Sequence, residues 1–249
     1  MGLFNISSKY NLIIKIHNLL HKTMIKNINK MVFIGHPEYL QAKDVFKSLS
    51  NKFEYIPFGI DKDFWKKNND QETTLDEYIL FIGNDSNRDF DFLINLTNEL
   101  SHKKFVVVSE RVKESDFIGT NVEVLNGSWN KDILSDEYLK SLYINAKITI
   151  VPLKDGLQPS GQSVTLQSMA TETPVIITKT NGFWSQEDFS HKENIYFAEN
   201  NDIRTWKTAI DLLIKNKDLY QSISNNSRKL IETKYNTDVF NSLLIGKYK

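Results

Sequence analysis

From Tyr78 onward the chain alternates between apolar runs of four or five residues and segments with the period of a helix. Such runs are too short for helices, and their continuous apolar character suits strands buried on both faces. Strands are expected at 79–82, 105–108, 122–125, 148–151, 175–178 and 195–197. Helices are expected at 90–100, 135–145, 163–171, 184–189, 202–215 and 218–234. Strand–helix alternation with right-handed crossovers implies a parallel sheet covered by helices on both faces. The expected fold is therefore α/β and Rossmann-like over 78–249, preceded by a linker at 62–77 and a small α/β segment at 1–61. The linker reading rests on the polar, charged stretch 66–77.

The segment before the linker begins with a basic amphipathic stretch. Lys9, Lys15, Lys22, Lys26 and Lys30 are interleaved with Leu12, Ile13, Ile16, Leu19, Leu20, Met24 and Ile28, and the first acid of the chain is Glu38. Spacings of three and four put many of the apolar residues on one helical face. Such a helix can lie on an anionic membrane surface, or it can dock on protein. A short strand from Met31, a helix opened by Pro37 and running to about Leu49, and a second strand from Phe53 to Pro57 follow.

Composition removes several classes of function. There are 31 basic and 31 acidic residues, so a broad polyanion-binding surface is not expected and nucleic acid is not a partner. The absence of Cys excludes disulfides and thiolate metal sites. The five His are scattered and form no metal motif, although His17 and His21 are four apart. No apolar stretch reaches the roughly 18–20 residues that span a bilayer. The N-terminus has no signal-peptide pattern, and Ile6 stands where a myristoylation site wants Ser or Thr. Cytoplasmic residence is the expectation, with the basic helix as a peripheral contact at the inner face of the membrane.

In an open parallel sheet, ligands bind beyond the carboxyl ends of the strands. Three loops there carry polar chemistry. The first is Gly83-Asn84-Asp85-Ser86-Asn87-Arg88-Asp89. It lacks the GxGxxG spacing of dinucleotide sites. Arg88 stands just before a helix, where its forked donors can meet a phosphate or pair with Asp85 or Asp89. The second runs from Pro152 through Lys154 to Ser160-Gly161-Gln162-Ser163 and into a helix. Helix amides carry partial positive charge. Gly161 lets a ligand approach the backbone, and Ser160 and Ser163 can cap the helix or bond phosphate oxygens. The Walker lysine is absent. The third is Asn126-Gly127-Ser128-Trp129, where the aromatic can cover a nucleobase or pack internally.

In combination these segments resemble the retaining GT-B glycosyltransferases of the GT4 type, the glycosyl transferases group 1. The run from Ser160 to Thr178, ending Thr-Pro-Val-Ile-Ile-Thr, is similar to their donor-site helix, turn and strand. Gly83 to Asp89 is similar to the stretch that opens their donor domain. Phe58-Gly-Ile-Asp61 resembles their hinge signature, and the tail from Asp202 to Tyr235 their closing helices.

The resemblance implies a UDP- or GDP-linked nucleotide-sugar donor and a saccharide or lipid-linked acceptor in cell-surface polysaccharide or glycoconjugate synthesis. It implies no cofactor and no metal. By carry-over, Arg88 would contact the diphosphate, and Gly83, Asn84 and Lys154 would belong to the donor-binding site. Amides of Ser160, Gly161, Gln162 and Ser163 would meet phosphate or sugar. Gly127 and Ser128 would face the base, and Gln167 the ribose. No catalytic residue is assigned; His36 matches the end of the N-terminal domain rather than the family's catalytic histidine. The family's Glu-x7-Glu pair is replaced by Pro159 and Gln167. The N-terminal, acceptor-side domain is expected to be shortened, which raises the alternatives of a partner subunit supplying the acceptor domain and of a non-catalytic interaction protein.

Overall fold

The computed structural model describes residues 11–67, 77–119, 121–127 and 134–248. Its main sheet has six parallel strands: β3 (Tyr78–Ile82), β4 (Lys104–Val108), β5 (Val122–Leu125), β6 (Ala146–Val151), β7 (Val175–Thr178) and β8 (Tyr196–Ala198). Their spatial order is β5-β4-β3-β6-β7-β8. A separate pair of parallel strands, β1 (Met31–Phe33) and β2 (Phe53–Tyr55), belongs to the N-terminal segment. The α/β class read from the sequence is the one observed.

Alternation along each strand divides the core. On β3, Leu80 and Ile82 join a cluster with Val106, Val151, Ile177 and Leu166. Ile79 and Phe81 face the other way, toward Phe105, Ile148, Leu93 and Trp206. One face is covered by α4 (Asp136–Asn145), α5 (Gln162–Ala170) and α7 (Lys217–Thr233). The opposite face is covered by α3 (Phe90–Glu99) and α6 (Ile203–Lys215). Both faces of β3 are buried, which is why its sequence is apolar at every position.

The helix boundaries follow cap chemistry. Asp89, Ser135, Asp202 and Asn216 each accept a hydrogen bond from a first-turn amide of α3, α4, α6 and α7. A final helix, α8 (Thr237–Tyr248), was not anticipated from the sequence. The helix expected at 184–189 does not form. Instead Phe183 and Trp184 stack at 4.1 Å and are buried against Phe189, while Ser185 donates to Asp188 to close a turn. Burying three aromatic rings in one cluster outweighs a single turn of helix.

In the N-terminal segment, α1 (Asn11–Lys26) and α2 (His36–Val45) pack on the strand pair around Ile25, Phe33, Ala42, Phe46 and Phe53. The Lys52 ammonium donates to the carbonyls of Ile25, Lys26 and Ile28 and so closes the C-terminus of α1. The apolar stripe Ile13, Ile16, Leu20 and Met24 of α1 is exposed. No described helix is long and apolar enough to cross a membrane.

This segment is joined to the main sheet at several points. The amide of His36 donates to Trp184 O at 2.9 Å. Ile60 exchanges backbone bonds with Tyr235 and Thr237, and Lys62 pairs with Asp238. The start of the expected linker is packed rather than loose. Trp65 is buried edge-on to Tyr143, and Arg228 donates to the carbonyls of Lys62 and Ala170. Residues 68–76 of that stretch lie outside the described residues.

Asp188 links the aromatic cluster to the tail, accepting from Ser185, Tyr235 and Lys234 at 2.7, 2.7 and 2.5 Å. Burial pushes its carboxyl up, but those three bonds together hold it below the usual range. Its contribution is therefore full above the unfolded carboxylate pKa of about 3.9 and is lost as pH falls through the lower folded value. Asp188→Asn should lower the melting temperature at neutral pH and flatten the loss of stability in acid, as read by thermal melts across pH. Leu213→Ala, buried under α6, should cost about 2–5 kcal/mol in urea unfolding without touching the cleft described next.

Candidate functional site

The central strands β3 and β6 mark the point where strand order reverses. Connections leaving them run to opposite sides, which opens a crevice at their carboxyl ends. The loop after β3 is stitched to the end of β6. Asp89 N donates to Pro152 O, Lys154 N donates to Asn87 O, and Arg88 forms a backbone bridge with Leu153. This fixes the backbone of Arg88 and sends its side chain inward, where only 3% of the residue is exposed.

Two glycines make room for the guanidinium. A Cβ on Gly83 would stand 2.1 Å from Arg88 Nε, and one on Gly161 would stand 2.8 Å from Nη1. Gly161 also has φ of 75°, in the left-handed region that side-chain-bearing residues avoid. It is the N-cap of α5, and it supplies no side-chain hydrogen bond. α5 thus starts bare, unlike α3, α4, α6 and α7.

Arg88 Nε and Nη1 are buried with no hydrogen-bond partner. Burial disfavours its charged form, and Asp85, whose Oδ2 is 3.5 Å from Nε, opposes that effect. A guanidinium keeps its proton regardless. Burying unpartnered charged donors costs more than the roughly 1–3 kcal/mol typical of a neutral group. A buried cation and an uncapped helix N-terminus thus line one cleft of about 860 Å³, together with Ser160, Gln162, Ser163 and Pro159. The arrangement is built to take an anion.

A second cleft of about 570 Å³, with more aliphatic side chains in its lining, adjoins it through the shared residues Gly83 and Asn84. It is lined by the aliphatic Ile82, Val108, Leu134 and Leu139 and by Gly127, Asp136, Tyr143 and Gln167. The Tyr143 hydroxyl donates to Gln167 Oε1 at 3.0 Å. Burial raises the Tyr143 pKa against the opposing pull of Arg88, so the phenol stays neutral. Sequence reasoning did not single out Tyr143, because one tyrosine on an amphipathic helix carries no motif.

The residues anticipated from the sequence divide into groups. Gly83, Arg88, Ser160, Gly161, Gln162 and Ser163 line the polar cleft, and Gly127 and Gln167 the second one. Asn84 borders both, but its amide is committed internally: Nδ2 donates to Gly127 O, and Oδ1 accepts from Ser109 and Glu110. It ties three strand-end loops together. Lys154 is exposed and lines neither cleft, because its amide bond to Asn87 lies at the end of the stitched segment. Ser160 does not cap α5; its hydroxyl donates to Asp85 at 2.7 Å. Gln162 donates to Ile34 O and so brings the N-terminal segment to the rim. Ser128 and Trp129 lie outside the described residues.

Fold and cleft together have the form of an α/β domain with a polar cleft where the strand order reverses. Residues 117–230 match the family model described as glycosyl transferases group 1. No curated protein matches the chain in sequence. Among solved structures, a sucrose-phosphate synthase from Thermosynechococcus elongatus aligns with TM-score 0.73 at 15% identity, over 94% of this chain and 61% of that one. A glycosyltransferase from Rickettsia africae aligns with TM-score 0.74 at 16% identity, over 98% and 68%. HepE of Anabaena, in complex with UDP-glucose, aligns with TM-score 0.72 at 11% identity, over 94% and 67%. At these identities the likeness is one of fold, and the chain spans about two thirds of the length of these proteins or slightly less.

Gly161→Ala forces a side chain into the left-handed region and against Val151 and Arg88. It should destabilise the fold by about 1–3 kcal/mol and abolish the stabilisation conferred by inorganic pyrophosphate. Thermal melts with and without pyrophosphate check both.

Proposed function

We propose that the chain is a glycosyltransferase whose polar cleft holds the diphosphate of a UDP- or GDP-linked sugar and whose neighbouring cleft holds the nucleoside. One observation carries this reading: the buried guanidinium of Arg88, whose Nε and Nη1 make no hydrogen bond, shares a cleft with the uncapped N-terminus of α5. The neighbouring cleft offers Val108, Leu134 and Leu139 as apolar contacts for a base, and Gln167 in its lining has an amide suited to ribose hydroxyls. The solved structures of Anabaena HepE with UDP-glucose and with UDP support a nucleotide-sugar reading of the shared fold.

In the reaction, negative charge builds on the leaving diphosphate. Arg88 and the first amides of α5 stabilise that charge from fixed positions, so no metal is needed. The resemblance to GT4 enzymes points to retention of configuration. The acceptor is a saccharide or lipid-linked saccharide of cell-surface polysaccharide or glycoconjugate synthesis, handled in the cytoplasm or at the inner membrane face.

A second reading is favoured by Pro159 and Gln167, which replace the family's two acids. With Gln167 Oε1 already accepting from Tyr143, the charged hydrogen bond to the donor is gone. In this reading the chain binds nucleotide without turnover, or acts with a partner subunit that supplies the acceptor domain.

Isothermal titration with UDP, GDP and their sugars separates these from no function at the cleft. At least one nucleotide should bind the wild type, and Arg88→Gln should weaken it by about 10-fold or more, the loss of a charge-assisted bond of about 1.5–3 kcal/mol. A folded protein that binds none of them sinks the donor reading. Sugar transfer measured with and without candidate partner subunits then distinguishes the enzyme from the silent binder.

A further inference from the structure

The polar cleft contains an acid that a diphosphate site does not need. Asp85 and Ser160 lie on opposite loops, both line the cleft, and Ser160 Oγ donates to Asp85 Oδ1 at 2.7 Å across it. The same oxygen accepts from the Asn87 amide at 3.0 Å. The other oxygen, Oδ2, is 3.5 Å from Arg88 Nε, an ion pair whose geometry does not satisfy the guanidinium's donors. Asp85 thus engages from within the protein the groups a phosphate would seek: a hydroxyl beside the start of α5, a loop amide and the buried cation.

The physical need for such a group is clear. Arg88 is almost fully buried, and a buried charge without a counter-ion is strongly destabilising. A diphosphate would supply the counter-charge, but only while bound. We propose that Asp85 is the specificity-determining residue of the donor cleft: its carboxylate stands in for the diphosphate when the cleft is empty and is displaced from Ser160 and Arg88 when the donor enters. Each binding event is then an exchange of one anion for another. The exchange weakens diphosphate affinity below what Arg88 and α5 alone would give. It also discriminates against ligands too weakly charged to displace the carboxylate. This inference rests on the donor reading of the cleft.

The test compares wild type with Asp85→Asn by calorimetry, using inorganic pyrophosphate, UDP and GDP, with uridine and guanosine as uncharged controls. Removing a like charge a few ångströms from the phosphates should tighten pyrophosphate and the nucleotide that binds by about fivefold or more. The nucleosides should not change. Equal or weaker diphosphate binding by the folded variant overturns the proposal while leaving the donor reading intact. Absence of binding by both proteins overturns the donor reading as well. A measurement on the wild type alone covers the case of a variant that does not fold. The Asn87 amide, bonded to Asp85, should shift in ¹H–¹⁵N spectra on addition of pyrophosphate, alongside the Ser163 and Val164 amides at the start of α5. Shifts at Ser163 and Val164 with Asn87 unmoved would show that the carboxylate stays in place, against the proposal.

Discussion

The adjacency of β3 and β6 governs this molecule. Tyr78 to Leu80 pair with Ala146 to Thr149, and every other strand of the main sheet is laid down outward from that seam. Because connections leave the seam in opposite directions, the loop after β3 and the loop before α5 meet above it with no helix between them. The stitched backbone from Asp89 to Pro152 then holds them at a fixed separation. The polar cleft, the cleft that adjoins it and the inward course of Arg88 are all consequences of this one pairing.

The charge arrangement above the seam is economical. One guanidinium, the start of α5 and one opposing carboxylate share the polar cleft. Glycines at 83 and 161 are essential to it, because a Cβ at either would meet the guanidinium. The hydrogen bonds of Asn84 to Gly127, Ser109 and Glu110 rigidify the loops of β3, β4 and β5. That rigidity favours preorganised electrostatics over a mobile binding loop.

Much of the main sheet was legible in the sequence because its strands are short, mostly apolar runs set off by polar loops. The runs at Val122–Leu125 and Val175–Thr178 are recovered without error, and the other strands of that sheet to within two residues. Helices with Asp, Ser or Asn at the N-cap were equally plain. The segment 184–189 misled because its aromatic spacing suits a helix face, whereas its rings satisfy themselves in a cluster with Phe197 and Tyr235. Likewise Trp65 sat among charged neighbours, and only its contact with Tyr143 reveals that this part of the chain is core.

For the site, sequence alone determined the residue types and their order: an arginine in a loop opened by Gly83, a Ser-Gly-Gln-Ser helix start and a glutamine one turn further on. These depend on local geometry, which is encoded within a few neighbouring residues. The tertiary structure decided which of them share a cleft. It set Lys154 aside, committed the Asn84 amide to the scaffold, turned the Ser160 hydroxyl to Asp85 and placed Tyr143 against Gln167. Each of these contacts joins groups more than twenty residues apart. Their pairing follows from strand order, a global property that no short stretch of sequence carries.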